Sequence, residues 1–323
     1  MKAIYIEHPG GVDALKYGDR PVPEPAAEQA LVKLAYTGVN FIDTYHRSGL
    51  YPLPIPAVIG TEGAGIVEKV AEGVTTVKPG DRVAYAMSPG SDAEYAAVPV
   101  KLLVPVPDEV ELNVAAAAML QGMTAHYLTQ STFPLKPGHT ALVHAAAGGT
   151  GRLVVQMAKQ AGATVIGTVG TEEKAELARS DGADHAIIYS DVDFVKETKA
   201  FTGGRGVDVV YDGVGKSTFM KSLDCLAPRG MMVTFGNASG PVDPVPPLLL
   251  SQKGSLFLTR PNLGHYIADR EDLEWRTNDL FTWIAEGRIH INIQQTYPLA
   301  EAAKAHKALE GRKTTGKLIL KID

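Results

Sequence analysis

From residue 140 to residue 260 the chain repeats one unit: a short apolar run, a turn, and a stretch with helical periodicity. The apolar runs are ALVHA (141–145), ATVIGTV (163–169), DHAIIY (184–189), VDVVYDGV (207–214), MMVTFG (231–236) and SLFLTR (255–260). Helical patterns fill residues 149–162, 172–182, 193–202 and 222–228 between them. Parallel strands need long crossover connections, whereas antiparallel ones need only a tight turn. Six apolar runs spaced in this way therefore predict a doubly wound parallel α/β sheet.

The flanking sequence follows a different rhythm. Residues 2–8, 30–39, 57–70, 81–87 and 93–100 are β-type segments broken by Gly and Pro, which predicts a closed or nearly closed β unit. Residues 106–132 turn helical, with Asp108 as the expected N-cap and Pro134 and Pro137 as the stop. After Arg260 come a helical stretch (272–287), a strand (290–299), a helix (300–311) and a last strand (317–322). These do not continue the six-strand pattern and are expected to rejoin the N-terminal β unit. The expected division is residues 1–123 with 264–323 for the β-rich domain, and 124–263 for an inserted sheet domain.

A chain of 323 residues, 45% hydrophobic, can bury two ordinary cores. Its net charge of −5, with Lys and Arg scattered rather than in runs, argues against a nucleic-acid groove or a basic membrane patch. A small-molecule partner is expected. The single cysteine, Cys225, rules out an intrachain disulfide and every cysteine-rich zinc site, and reads as a small core residue in a reducing compartment. The N-terminus opens directly as a strand, and no apolar run approaches the ~20 residues that span a bilayer. The expected compartment is the cytoplasm.

The first connection of the sheet domain reads HAAAGGTG (144–151). Set on the pattern G-x-G-x-x-G, it places Ala146 at the first glycine, Gly148 at the second and Gly151 at the third. The second lets the backbone approach a pyrophosphate, and the third lets helix pack on strand. Both are kept. The backbone N–H groups of Gly149 and Thr150 open the helix, where its positive dipole end receives phosphate.

An enzyme using the unphosphorylated dinucleotide carries an acid about 20 residues beyond this loop, at the end of the second strand, to bind the ribose 2′-OH. Here that strand runs out into Gly170 and Thr171, with no acid to repel a 2′-phosphate. Lys174 stands at the start of the next helix, where a cation can meet that phosphate, and Tyr189 at the end of the third strand can flank the adenine ribose. Glu172 and Glu173 lie nearby and complement the helix dipole. The pattern favours NADPH over NADH.

Eight ordered segments carry a resemblance over essentially the whole chain: GVNFIDTYHRSGLYP (38–52), GTEGAGIV (60–67), KPGDRVAY (78–85), HAAAGGTG (144–151), GTVGTEEK (167–174), VVYDGVG (209–215), RGMMVTFGNASG (229–240) and GSLFLTRP (254–261). With them the chain resembles the zinc-free, zeta-crystallin-like quinone oxidoreductases of the medium-chain dehydrogenase/reductase superfamily. That resemblance implies a GroES-like β-rich catalytic domain with an inserted Rossmann domain, NADPH as cofactor and a quinone as substrate. Zinc-bearing alcohol dehydrogenases of the superfamily place a cysteine near the segment GVNFID and a histidine just before a glutamate. Asn40 and Thr61 stand there instead, and none of the nine histidines has metal-site spacing.

The resemblance further implies that Phe41, Ile42, Asp43, Thr44 and Tyr45 lie near the cofactor, with Asn40, Tyr45 and Tyr51 facing the substrate. Tyr45 or Tyr51 is then the expected donor to the reduced oxygen, and Asn40 orients the quinone or the nicotinamide. Thr124, Val214, Phe235, Gly236, Asn237, Ser239, Asn262 and Leu263 are implied cofactor contacts. Arg312 resembles an arginine that reaches the 2′-phosphate, and reads equally as a helix-end cation. Thr150 departs from the valine more usual in the loop.

Two other readings compete: an NADPH-dependent reductase of activated double bonds (enones or enoyl-CoA), and a binding or structural role. The kept Gly148, Gly151 and Lys174 speak for cofactor use. The edge strand at SLFLTR suits pairing across a two-fold axis, so a homodimer is expected.

Overall fold

A computed structural model describes residues 1–311 and 313–323. The chain divides into two units, Met1–Met123 with Tyr266–Asp323, and Thr124–His265.

In the first unit the elements run β1 (Lys2–Ile6), β2 (Lys16–Asp19), β3 (Gln29–Val39), α1 (Phe41–Ser48), β4 (Ala57–Val58), β5 (Glu62–Val70), β6 (Arg82–Ala86), β7 (Tyr95–Pro99) and β8 (Val104–Pro105), and α2 (Leu112–Tyr127) begins in it and runs on past Met123. The long strand β3 pairs antiparallel with β5 and also with β7. Register shifts between Leu31 and Val32 and between Leu34 and Tyr36 curve the β3–β5 ladder, as closing a sheet requires. The segment 40–48, read only as part of the β domain, is a helix. It has Asn40 as N-cap, and Gly49 terminates it in the left-handed region at φ +82°.

Asp108 does not cap α2, which begins at Leu112. The preceding turn, in which the Val110 N–H donates to Pro107 O (3.0 Å), is braced instead by the side chain of Arg82. It donates to the carbonyls of Pro107 (3.1 Å) and Val110 (2.7 Å) and to Asp108 Oδ1 (3.1 Å).

The second unit contains β9 (Thr140–His144), α3 (Gly149–Gln160), β10 (Thr164–Val169), α4 (Glu172–Ser180), β11 (His185–Ile188), α5 (Phe194–Phe201), β12 (Val207–Asp212), α6 (Phe219–Cys225), β13 (Leu226–Thr234), α7 (Pro247–Gln252) and β14 (Phe257–Thr259). The helix expected over 222–228 stops at Cys225, and Leu226, Ala227 and Pro228 open β13 instead. A register shift between Val207 and Val209 lies beside them, the setting in which a strand tolerates proline. The six strands are parallel in the order β11-β10-β9-β12-β13-β14, so the winding reverses between β9 and β12. Leu142, Ile166, Ile187, Phe194, Val210, Phe219 and Met232 form the core under the helices.

The chain then returns through α8 (Leu263–Tyr266), α9 (Arg270–Ala285), β15 (Ile293–Pro298), α10 (Ala302–Glu310) and β16 (Lys317–Lys321). Strand β16 pairs antiparallel with β3, which puts Leu318 beside Val39, and β15 joins it at the edge. Strands from before and after the inserted sheet domain thus share one sheet, with Val32, Leu34, Ile59, Leu309, Leu318 and Leu320 in a common core. Among the described residues, no helix is long and apolar enough to cross a membrane.

Candidate active site

In the second unit the glycine-rich turn leaves β9 through Ala145, a non-glycine residue in the left-handed region (φ +51°). Strand-to-helix reversal over so few residues forces this conformation. Gly148 serves as N-cap of α3, and no side chain caps the helix, whereas Thr171 caps α4 and Asp193 caps α5. The first-turn N–H groups of α3, including those of Gly149 and Thr150, are therefore arranged as an anion cradle. Ala146 fits the place of the missing first glycine because the room comes from the neighbouring strand. A Cβ on Gly167 would lie 2.8 Å from the Ala146 methyl. His144 is no site residue: buried, it bonds Thr168 Oγ1 and Ser222 Oγ at 2.8 Å each, and burial lowers its pKa.

Beyond β10 the chain passes Gly170 into α4. Gly170 is packed against Tyr189, so that a Cβ there would lie 2.9 Å from the phenol oxygen, while the Tyr189 ring itself is exposed. Thr171 Oγ1 accepts from the Lys174 N–H (3.3 Å), which fixes the first turn. Partial burial lowers the Lys174 pKa, with Glu173 acting against the shift. Arg179 engages Glu172 at 2.6 Å, turning that carboxylate along the helix. A lysine in the first turn of a helix works against the dipole, and a bound phosphate would offset that cost.

The loops after β12 and β13 are built on Asp212, which the sequence reading missed. Its buried carboxylate accepts from the N–H groups of Val214 (2.7 Å) and Gly215 (3.0 Å) and from Thr218 Oγ1 (2.8 Å). Ser239 Oγ donates to the Val214 carbonyl (2.8 Å) and accepts from the Ser217 N–H (3.0 Å), so this hydroxyl serves the loop itself. Gly236 packs on the Gly213 carbonyl, and Phe235 donates its N–H to Asp212 O (2.8 Å). The Asn237 amide, turned to satisfy both ends, donates to Gly236 O (3.0 Å) and accepts from Arg260 Nη2 (3.2 Å). Asn262 Oδ1 accepts from the Gly264 N–H (2.8 Å), Leu263 starts α8 in a buried position, and Thr124 is buried near the end of α2. Arg312 lies outside the described residues.

In the first unit α1 presents Phe41 and Tyr45, four residues apart on one face with ring centroids 6.4 Å apart. Tyr51 meets Tyr45 edge to face at 5.2 Å, an aromatic wall of three rings. Ile42 is half-buried. Asp43 and Thr44 turn inward. Asp43 accepts from the Asn40 N–H (2.7 Å) and Thr61 Oγ1 (2.9 Å), and Thr44 Oγ1 donates to Phe41 O (2.7 Å).

Behind α1 lies a buried polar cluster that no sequence motif announced. Asn40 Nδ2 donates to Glu62 Oε1 (2.7 Å), Lys317 Nζ donates to Asn40 Oδ1 (2.7 Å), and Lys317 and Glu62 form an ion pair. Asp92 accepts from Thr37 Oγ1 at 3.0 Å. Burial pushes the Asp92 carboxyl up to about 7, with Glu62 adding to the rise and Thr37 and Lys317 opposing it. Burial and the neighbouring Asp92 also hold Asp43 well above the usual carboxylate range. Among the described residues, no group of three or more His, Cys, Asp or Glu is arranged to hold a metal ion.

A GroES-like β unit and a six-stranded sheet with an anion cradle on its first helix define a pyridine-nucleotide oxidoreductase. Comparison with known proteins narrows the class. Residues 26–108 match the alcohol dehydrogenase GroES-like domain, and residues 149–275 match the zinc-binding dehydrogenase family. A quinone oxidoreductase of Pseudomonas aeruginosa is 48% identical, over 99% of both chains. A 2-haloacrylate reductase of Burkholderia is 45% identical over 99% of this chain and 98% of its own length. The crystal structure of Escherichia coli quinone oxidoreductase complexed with NADPH has a TM-score of 0.97 at 45% identity, covering 99% of this chain and all of that one. The chain belongs to the quinone oxidoreductases of the medium-chain dehydrogenase/reductase superfamily.

Proposed function

We propose that the protein reduces a quinone with NADPH, without zinc. The observation that carries this reading is the pairing of an uncapped α3 N-terminus with Lys174 in the first turn of α4, in a chain with no acid at the end of β10. That arrangement suits a pyrophosphate and a 2′-phosphate together. NADPH supplies two electrons as hydride from nicotinamide C4, and one proton completes the hydroquinone.

The residues of the chain bind, orient and donate. Gly148, Gly149 and Thr150 would hold the pyrophosphate, and Gly170, Thr171, Lys174 and Tyr189 the adenosine end. Val214, Phe235, Gly236, Asn237, Ser239, Asn262, Leu263 and Thr124 place the nicotinamide half. Phe41, Ile42 and Tyr45 would flank its ring, Asp43 and Thr44 would brace α1 from behind, and Asn40 would orient the reactants from the start of α1. Tyr45 or Tyr51 donates to the oxygen that gains charge. In place of metal ligands the chain has Asn40 and Thr61, whose side chains bond Glu62, Lys317 and Asp43. The apolar edge at β14, with Phe257 exposed, supports a homodimer, and the single buried cysteine supports a reducing cytoplasm.

The likeness to the 2-haloacrylate reductase favours one second reading, reduction of an activated carbon–carbon double bond. A panel of 1,4-benzoquinone, an enone and crotonyl-CoA, with NADPH and a chelator present, separates the two. Turnover of the quinone unaffected by the chelator is expected. Loss of activity on chelation would overturn the zinc-independent part, and turnover of crotonyl-CoA alone would overturn the quinone assignment.

A further inference from the structure

The buried ion pair of Glu62 and Lys317 is out of keeping with a purely structural role. Glu62 is 0% and Lys317 2% exposed, and pairs of this kind stabilise a fold no better than well-packed apolar residues. What the pair does is grip one side chain. Asn40 Oδ1 accepts from Lys317 Nζ (2.7 Å) and Gln121 Nε2 (3.3 Å), and Asn40 Nδ2 donates to Glu62 Oε1 (2.7 Å) and Gly38 O (3.3 Å). Every donor and acceptor of the amide is therefore committed. Glu62 Oε2 meanwhile accepts the Leu120 N–H of α2 at 2.6 Å. The backbone makes room for this: a Cβ on Gly38 would collide with the Glu62 carboxylate and lie 2.7 Å from Lys317 Cε.

Asn40 is the N-cap of α1, so what holds its side chain holds the start of the helix that carries Phe41 and Tyr45. We propose that Glu62 and Lys317 are positioning residues for the hydride transfer. Through Asn40 they fix the first turn of α1 and the pose of its aromatic face against the reacting rings. Asn40 then orients the reactants by anchoring α1 rather than by touching them. This rests on the reading that Phe41 and Tyr45 of α1 face the reactants. A displacement of about 1 Å at a reacting pair costs on the order of a hundredfold in rate, which is the scale at stake.

The test compares wild type with the double variant Glu62→Gln/Lys317→Met, which removes the pair without stranding a charge, and with Gly38→Ala, which keeps both charges and displaces them. NADPH affinity is read by nucleotide fluorescence, thermal midpoint by calorimetry, and kcat and KM on 1,4-benzoquinone and crotonyl-CoA. Both variants are expected to lose kcat by roughly 10- to 100-fold while NADPH affinity stays at the wild-type value. Wild-type kcat in the double variant, whatever its thermal midpoint, overturns the positioning role. A wild-type protein that turns over crotonyl-CoA and no quinone overturns the substrate reading alone, and the variant-to-wild-type ratio on that acceptor still decides the positioning role. A wild-type protein that turns over neither overturns both.

Discussion

Gly151 packs so tightly on Ala145 that a Cβ at position 151 would collide with the Ala145 carbonyl oxygen and lie 3.1 Å from the Ala146 Cα. Both neighbours are backbone and cannot swing aside. Gly151→Ala is therefore expected to push α3 off β9, costing roughly 1–3 kcal/mol of stability and moving the α3 N–H groups out of register with the pyrophosphate. Urea unfolding and an NADPH fluorescence titration check the two effects. A variant that binds NADPH like wild type would show that the cradle tolerates the shift.

Lys174 sits in the first turn of α4, where its charge opposes the helix dipole and burial already lowers its pKa. On the proposed role of Lys174, alanine in its place takes away the charge that would meet the 2′-phosphate and leaves the groups that would hold the rest of the dinucleotide. Lys174→Ala is expected to weaken NADPH binding by about 1.5–3 kcal/mol, on the order of 10- to 100-fold, and to leave NADH binding unchanged. Paired titrations with the two nucleotides measure the ratio. Equal losses for both would place 2′-phosphate recognition elsewhere.

These two sites were legible in the sequence for different reasons. The glycine-rich turn, the alternation of strand and helix, and the empty acid position after β10 are local in sequence, so periodicity and spacing reveal them. Gly167 acts across neighbouring strands, so its role follows only from the strand order, whereas the Asp212 carboxylate serves Val214, Gly215 and Thr218 a few residues on, contacts that no motif marks. The cluster of Thr37, Asn40, Glu62, Asp92 and Lys317 was less legible still, because its members come from segments as far apart as β3 and the last strand. A lysine in KLILKI reads as a strand-end cation until β16 is seen to pair with β3. The helix at 41–48 was hidden because it is short and follows a strand without a turn signal beyond Asn40.

Asp92 makes stability depend on pH in an unusual direction. Its folded-state carboxyl is pushed up to about 7 from an ordinary 3.8, chiefly by burial and then by Glu62, while Thr37 and Lys317 pull it down. The folded chain thus keeps a proton that the unfolded chain has lost. Its contribution to stability is complete below about pH 4 and is lost as pH rises through about 7. One such group contributes a slope of roughly 1.4 kcal/mol per pH unit across that interval. Asp92→Asn keeps an acceptor for Thr37 and removes the titration. Urea unfolding from pH 4 to pH 8 should show wild type losing stability more steeply than the variant, and parallel curves would refute the assignment.

Strand β14 ends the parallel sheet, and Phe257 on it is 58% exposed. An unpaired edge carrying a large apolar side chain is a template for strand pairing, and natural proteins usually blunt such edges with charge or cover them. Leu248 on α7 is exposed as well. A second copy approaching along β14 would continue the sheet and cover Phe257. Phe257→Lys introduces the charge that edges elsewhere carry, so it is expected to convert a dimer of twice the chain mass into a monomer while β9 to β13 and NADPH binding stay intact. Light scattering coupled to size exclusion at micromolar protein reads the mass directly. A wild-type protein already running as a monomer, or a variant that remains dimeric, would move the interface away from this edge.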